Sequence, residues 1–115
     1  MSKLNLNTIG TRQRSLVDCL MQSQYRCLNS SQFLCTRGRW GGDLPAITSL
    51  VGRGYVYKFD RYNDVLFRDE TSQFNKLTKS EKSRLVKRMD ANQRASTFYL
   101  LPDRLIRQLR GVQNG

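Results

Sequence analysis

The stretch LPAITSLVGRGYV, Leu44 to Val56, decides how the rest of the chain is read. Asp43 before it suits a helix N-cap, and Pro45 falls in the first turn, where its missing N–H costs little. Leu44, Ile47, Leu50 and Val51 recur at helical spacing and make one apolar stripe. Gly54 supplies a C-terminal stop, so the spacing predicts a helix over about 44–53. The period then drops from 3.6 to 2: Tyr55, Tyr57 and Phe59 alternate with Val56 and Lys58, the pattern of a strand. Asp60-Arg-Tyr-Asn-Asp64 is a turn cluster, and Val65 to Arg68 reads as a second strand that closes a β-hairpin.

Toward the N-terminus, residues 1–10 are polar and read as a flexible arm. Thr11 can cap a helix over about 11–24, whose stripe is Leu16, Val17, Leu20 and Met21. Asn29 and Gln32 have capping-box spacing and start a short second helix carrying Phe33 and Leu34. This helix stops by Gly38, because Arg37-Gly-Arg-Trp-Gly-Gly42 has too many glycines for a helix and reads as a turn. Toward the C-terminus, Thr78 and Glu81 form another capping box for a helix near 78–93 with Leu85, Val86 and Met89 inward. Phe98 to Leu101 is apolar without a readable period. Pro102 and Asp103 start a last helix bearing Leu105, Ile106 and Leu109, which Gly111 ends. The expected organisation is an arm (1–10), a core (11–70) and a two-helix extension (71–115), packed on the core or mediating a homodimer. The fold class is α+β, mostly helical.

A chain of 115 residues supports one domain with a modest core. Twenty Lys and Arg against nine Asp and Glu give a formal charge of +11, and nucleic acid is the commonest partner that offsets such self-repulsion. Cys19, Cys27 and Cys35 are odd in number, form no Cys-x-x-Cys pair and have no histidine beside them. They read as reduced thiols of a cytoplasmic protein rather than zinc ligands or a disulfide framework. No apolar run reaches the length of a signal peptide or a membrane span. There is no histidine base, P-loop, Gly-x-Gly-x-x-Gly or tight acidic cluster, so neither an enzyme nor a cofactor is expected.

Three helices followed at once by a hairpin over residues 11–69 resemble the winged helix-turn-helix superfamily. The short helix after Asn29, the Gly-rich turn and the run 44–56 carry the resemblance. It implies that the helix at 44–53 enters the major groove of double-stranded DNA and that the hairpin is the wing. Helical spacing leaves Pro45, Thr48, Ser49, Gly52 and Arg53 facing outward. Ser, Thr and Arg there can meet bases or phosphates, but no Asn or Gln is present to read adenine, so shape and backbone contacts dominate. Arg12, Arg14, Arg37 and Arg39 are candidate phosphate contacts, and Trp40 a stacking or core-edge residue. Lys58, Arg61 and Tyr62 sit near the wing tip. Residues 60–70, however, carry two basic and four acidic side chains.

The remaining positive charge lies along the C-terminal helices. Arg84, Lys87 and Arg88 are expected opposite the stripe of the first helix, and Arg104, Arg107 and Arg110 opposite that of the second. Those faces are a solvated surface, a second nucleic-acid surface, or the outside of a helix pair that dimerises. The leading expectation is a small DNA-binding regulator of bacterial or phage type. The alternative is a basic interaction protein that docks on an acidic surface of a nucleic-acid enzyme or polymerase. The acidic wing and the thin base-readout face favour this second reading. Structured RNA is a third, although no RRM or KH signature is present.

Overall fold

A three-stranded antiparallel sheet of order β1–β3–β2 divides the molecule into two packed layers. The structure, a computed structural model, describes residues 9–32, 40–66 and 73–114. Its elements are α1 (Thr11–Gln22), β1 (Cys27–Asn29), α2 (Trp40–Gly52), β2 (Tyr57–Asp60), α3 (Lys79–Ala91), β3 (Thr97–Leu100) and α4 (Asp103–Asn114). The fold is therefore α+β and mostly helical.

Local capping signals are met closely. Asn29 and Gln32 cap each other reciprocally: Gln32 N–H donates to Asn29 Oδ1 at 2.9 Å, and Asn29 N–H to Gln32 Oε1 at 3.3 Å. Helical backbone follows over residues 30–32; the rest of that expected helix, with Phe33 and Leu34, lies outside the described residues. Thr78 and Glu81 form the predicted box at the start of α3. At the end of α2, Gly54 sits at φ +82°, with Gly54 N–H on Val51 O and Tyr55 N–H on Leu50 O. This is the Schellman arrangement, which needs a left-handed residue that glycine adopts without strain.

Several boundaries differ from expectation. α1 begins at Thr11 itself, with Gly10 as the N-cap donating to Gln13 Oε1, and Ser23 ends it by donating its hydroxyl to Leu20 O. α2 begins at Trp40, so Asp43 is inside the helix and residues 40–42 are not the expected turn. Burial of Ile47 and Leu50 outweighs the roughly 1 kcal/mol that each interior glycine costs. Gly111 likewise does not end α4. It stands on an open surface, and the helix runs on to Asn114.

The expected hairpin is the main correction. Asp60 Oδ1 accepts the N–H groups of Tyr62 and Asn63, and Asp64 Oδ2 accepts the N–H of Asp60. These two carboxylates cap a π-helical turn over Arg61–Leu66, so residues 65 and 66 do not return as a strand. Residues 67 and 68 lie outside the described residues. The strand that pairs with β2 is β3, the unassigned Phe98–Leu101 patch, in the register Tyr57–Leu100 and Phe59–Phe98. β3 also pairs with β1, Asn29 meeting Phe98, so a segment near the end of the chain is the centre of the sheet.

Strand alternation sends one row to each layer. Leu28 and Tyr99 face a core formed with Leu16, Val17, Leu20, Ile47, Leu50, Leu105 and Leu109 of α1, α2 and α4. Cys27, Leu100, Phe59 and Phe98 face a second core with Val65, Phe74, Leu77, Leu85 and Met89. In α3, Leu85 and Met89 are buried as expected, whereas Val86 is 41% exposed and leaves the stripe. The apolar stripes of α3 and α4 are thus covered inside one chain.

Both cores draw on residues beyond 70, so a chain cut after residue 70 is expected to be unfolded. Far-UV circular dichroism without helical signal and a denaturant titration without a cooperative transition would show this. A cooperative transition would mean that residues 11–70 fold alone.

Candidate nucleic-acid interface

α2 is set by Ile47 and Leu50 on its inner side, which turns Pro45, Thr48, Ser49, Gly52 and Arg53 outward, all exposed. The Arg53 guanidinium lies 5.0 Å from the centre of the Tyr55 ring, a cation–π contact that steadies the side chain where α2 leads into β2. Lys58 is exposed on β2 and shares a pleat row with Tyr99, so it projects from the sheet face that carries α2. Arg12 is exposed in the first turn of α1, which packs on α2 through Leu16, Val17 and Leu20. Arg14 is held to Asp18 one turn on, Nε to Oδ1 at 3.3 Å, a half-exposed pair of small energetic weight. Lys87 is exposed on α3. Arg37 and Arg39 lie outside the described residues.

Three expected contact residues are instead internal braces. Arg88 is 5% exposed rather than on an outer face. It donates to Cys27 O at 2.7 Å, Gln24 O at 2.9 Å and Asn92 Oδ1 at 3.1 Å, and lies against the Tyr25 ring. Arg84 donates to Tyr25 O at 3.1 Å, Leu101 O at 2.9 Å and Asp103 Oδ1 at 2.7 Å. Arg61, expected at a wing tip, donates to the carbonyls of Met89, Asn92 and Ala95 and covers the Phe98 ring. It closes the C-terminus of α3, where carbonyl oxygens are left over and a cation is favoured.

The N-termini of α3 and α4 share one polar knot. Glu81, 5% exposed, accepts Thr78 N–H on one oxygen and Asp103 N–H on the other. Burial works to raise the Asp103 pKa, but hydrogen bonds from Thr78 and Arg84 and the Arg84 charge outweigh it and hold the carboxyl below its ordinary value. On β1, burial pushes the Cys27 thiol up to about 12 against the opposing charges of Arg88 and Arg84. Cys27 is a neutral core side chain.

The bracing of residues 24–27 also brings Arg26, which no residue pattern singled out, to the basic face of α4 expected at Arg107 and Arg110. Tyr25, Arg26, Ser80, Arg84, Asp103, Ile106, Arg107 and Arg110 line an open cleft of about 500 Å³ beside the sheet. Arg26 carries no local signal in Ser23-Gln-Tyr-Arg26, because its placement follows from the bracing by α3. Among the described residues no three Cys, Asp or Glu side chains converge as metal ligands would. No helix of the described residues is long and apolar enough to cross a membrane. Comparison with family models, curated proteins and solved structures finds no match to this chain. The functional reading accordingly rests on its own residues.

The bracing roles separate two neighbours sharply. Arg88→Ala is expected to cost about 3 kcal/mol or more in urea unfolding, since buried carbonyls lose a charged donor. Lys87→Ala, one residue away and exposed, is expected to change stability by less than about 0.5 kcal/mol. Equal effects would contradict the assignment. Alkaline titration gives a second check. Folded Cys27 keeps its proton where the unfolded thiol loses it, so stability is level below pH about 9 and falls as pH rises toward about 12. The fall approaches about 1.4 kcal/mol per pH unit from this group. Tyr57 and Tyr99, also raised chiefly by burial, act in the same direction. Denaturation midpoints from pH 8 to 11 should fall less steeply in Cys27→Ala.

Proposed function

We propose that this protein binds double-stranded DNA as a winged-helix variant, with the outward face of α2 as its groove-facing element. The observation that carries this reading is the exposed Thr48, Ser49 and Arg53 face on a helix that leads through the Gly54 turn into an antiparallel β2–β3 pair. That order of helices and paired strands supports the winged-helix assignment. The excursion over 61–96, including α3, stands where a simple wing has its tip. Readout is of shape and backbone, because the face offers hydroxyls and one guanidinium and no amide side chain. Lys58 and Arg12 add positive charge around it. The role is that of a small regulator of transcription, acting in the cytoplasm.

Docking on an acidic protein surface was favoured by the negative stretch 60–70. Asp60 and Asp64 turn out to be engaged in capping backbone N–H groups. Asp69 and Glu70, the other two carboxylates of that stretch, lie outside the described residues, and the thin base readout of the α2 face still favours a protein partner.

Fluorescence anisotropy with a duplex of arbitrary sequence tests the proposal. Binding at low ionic strength that weakens steeply with salt is expected. Substituting Thr48→Ala, Ser49→Ala and Arg53→Gln together should weaken it about 10- to 100-fold. Absence of binding at low salt, or a triple variant that binds as the wild type does, would overturn it.

A further inference from the structure

The cleft between the Tyr25–Arg26 turn and α4 has a charge that the fold does not use. Its lining holds four arginines and one carboxylate, Asp103. Arg84 lies 2.7 Å from Asp103, which Thr78 also contacts, so that carboxylate is already matched. Arg26, Arg107 and Arg110 remain. Arg107 and Arg110 are exposed and make no hydrogen bond or ion pair within the described residues. Among the described residues the Arg26 Nε–H is shielded from solvent and meets no acceptor, and its guanidinium donates to Ser23 O at 3.5 Å.

The backbone that places Arg26 is strained in a way that points to the same cleft. Tyr25 and Arg26 adopt φ +65° and +51°, two successive left-handed residues that are not glycine. Such a conformation persists only where surrounding contacts force it. The forcing contacts are those of α3: Arg84 on Tyr25 O, and Arg88 on the carbonyls of Gln24 and Cys27. Leu101 N–H adds a bond to Arg26 O. Glycine would satisfy the backbone at position 26 more cheaply, so the arginine side chain is what the position gains.

We infer that Arg26, Arg107 and Arg110 form a phosphate-binding cleft, a second contact point that takes a phosphate of the bound nucleic-acid strand. Guanidinium groups suit this ligand because their planar forks donate two parallel hydrogen bonds to phosphate oxygens. A volume of about 500 Å³ holds a phosphate with its adjoining sugar. The inference rests on the nucleic-acid reading above but concerns a different surface from the α2 face. The phosphate comes either from a strand's 5′ end or from within its backbone.

The test compares wild type with Arg107→Gln/Arg110→Gln, Arg26→Gly, and a charge-matched control, Lys76→Gln/Arg94→Gln, whose residues are exposed and outside the cleft. Each is titrated with one duplex bearing 5′-phosphates and the same duplex bearing 5′-hydroxyls, at two salt concentrations. Arg107→Gln/Arg110→Gln should bind about 10- to 100-fold more weakly. Its salt slope should be shallower by about one to two, beyond any change in the control. Arg26→Gly should lose affinity while its thermal midpoint stays level or rises, because glycine relieves the left-handed strain. A wild-type preference for the phosphorylated duplex that vanishes in the cleft variants assigns a terminal phosphate. Equal loss on both duplexes assigns an internal phosphodiester. Cleft variants that bind like the control overturn the inference, as does an Arg26→Gly protein that melts earlier and binds normally. If wild type binds while only α2-face substitutions weaken it, this inference alone falls. If wild type binds neither duplex, the nucleic-acid reading falls with it.

Discussion

The structure hangs on a buried guanidinium that meets no carboxylate among the described residues. Arg88 leaves water to meet the carbonyls of Gln24 and Cys27 and the amide oxygen of Asn92. Dipoles rather than an opposite charge compensate its desolvation, and they do so only if all stay in place. The last turn of α3, the start of β1 and the turn between α1 and β1 are thereby locked to one another. Arg84 extends the lock to Leu101 and α4, and Arg61 closes the far end of α3. An excursion between two strands becomes, through these three arginines, a structural layer.

This arrangement explains which parts of the fold were legible in the sequence. The caps at Asn29–Gln32, Thr78–Glu81 and Gly54 depend on partners within a few residues, so their spacing is sufficient information. Phe98 to Leu101 resisted assignment because a central strand is buried on both faces and shows no alternation. The hairpin failed for a different reason. Asp60-Arg-Tyr-Asn-Asp64 offers both a β-turn and a carboxylate-capped helical turn, and only the position of β3 decides between them.

The candidate site divides along the same line. Exposure of Thr48, Ser49 and Arg53 follows from helical spacing once Ile47 and Leu50 are known to be inside. For Arg84 and Arg88, residue type pointed the wrong way: a helical wheel turns arginine outward unless a distant carbonyl calls it in. Arg107 and Arg110 were visible as a basic face, but Arg26 was not. Its partnership with them exists only after residues 24–27 are fixed against α3. The excess of positive charge therefore consists of two populations, cations that build the fold and cations that the fold leaves available.

The position of β3 has a consequence for how the protein comes into being. Among the described residues neither β1 nor β2 has a strand neighbour until Thr97–Leu100 arrives, and both cores lack residues until then. On a ribosome, the helices can form as they emerge, but the sheet must wait until residue 101 has cleared the exit tunnel. Contacts this distant in sequence form slowly and leave apolar surface uncovered meanwhile.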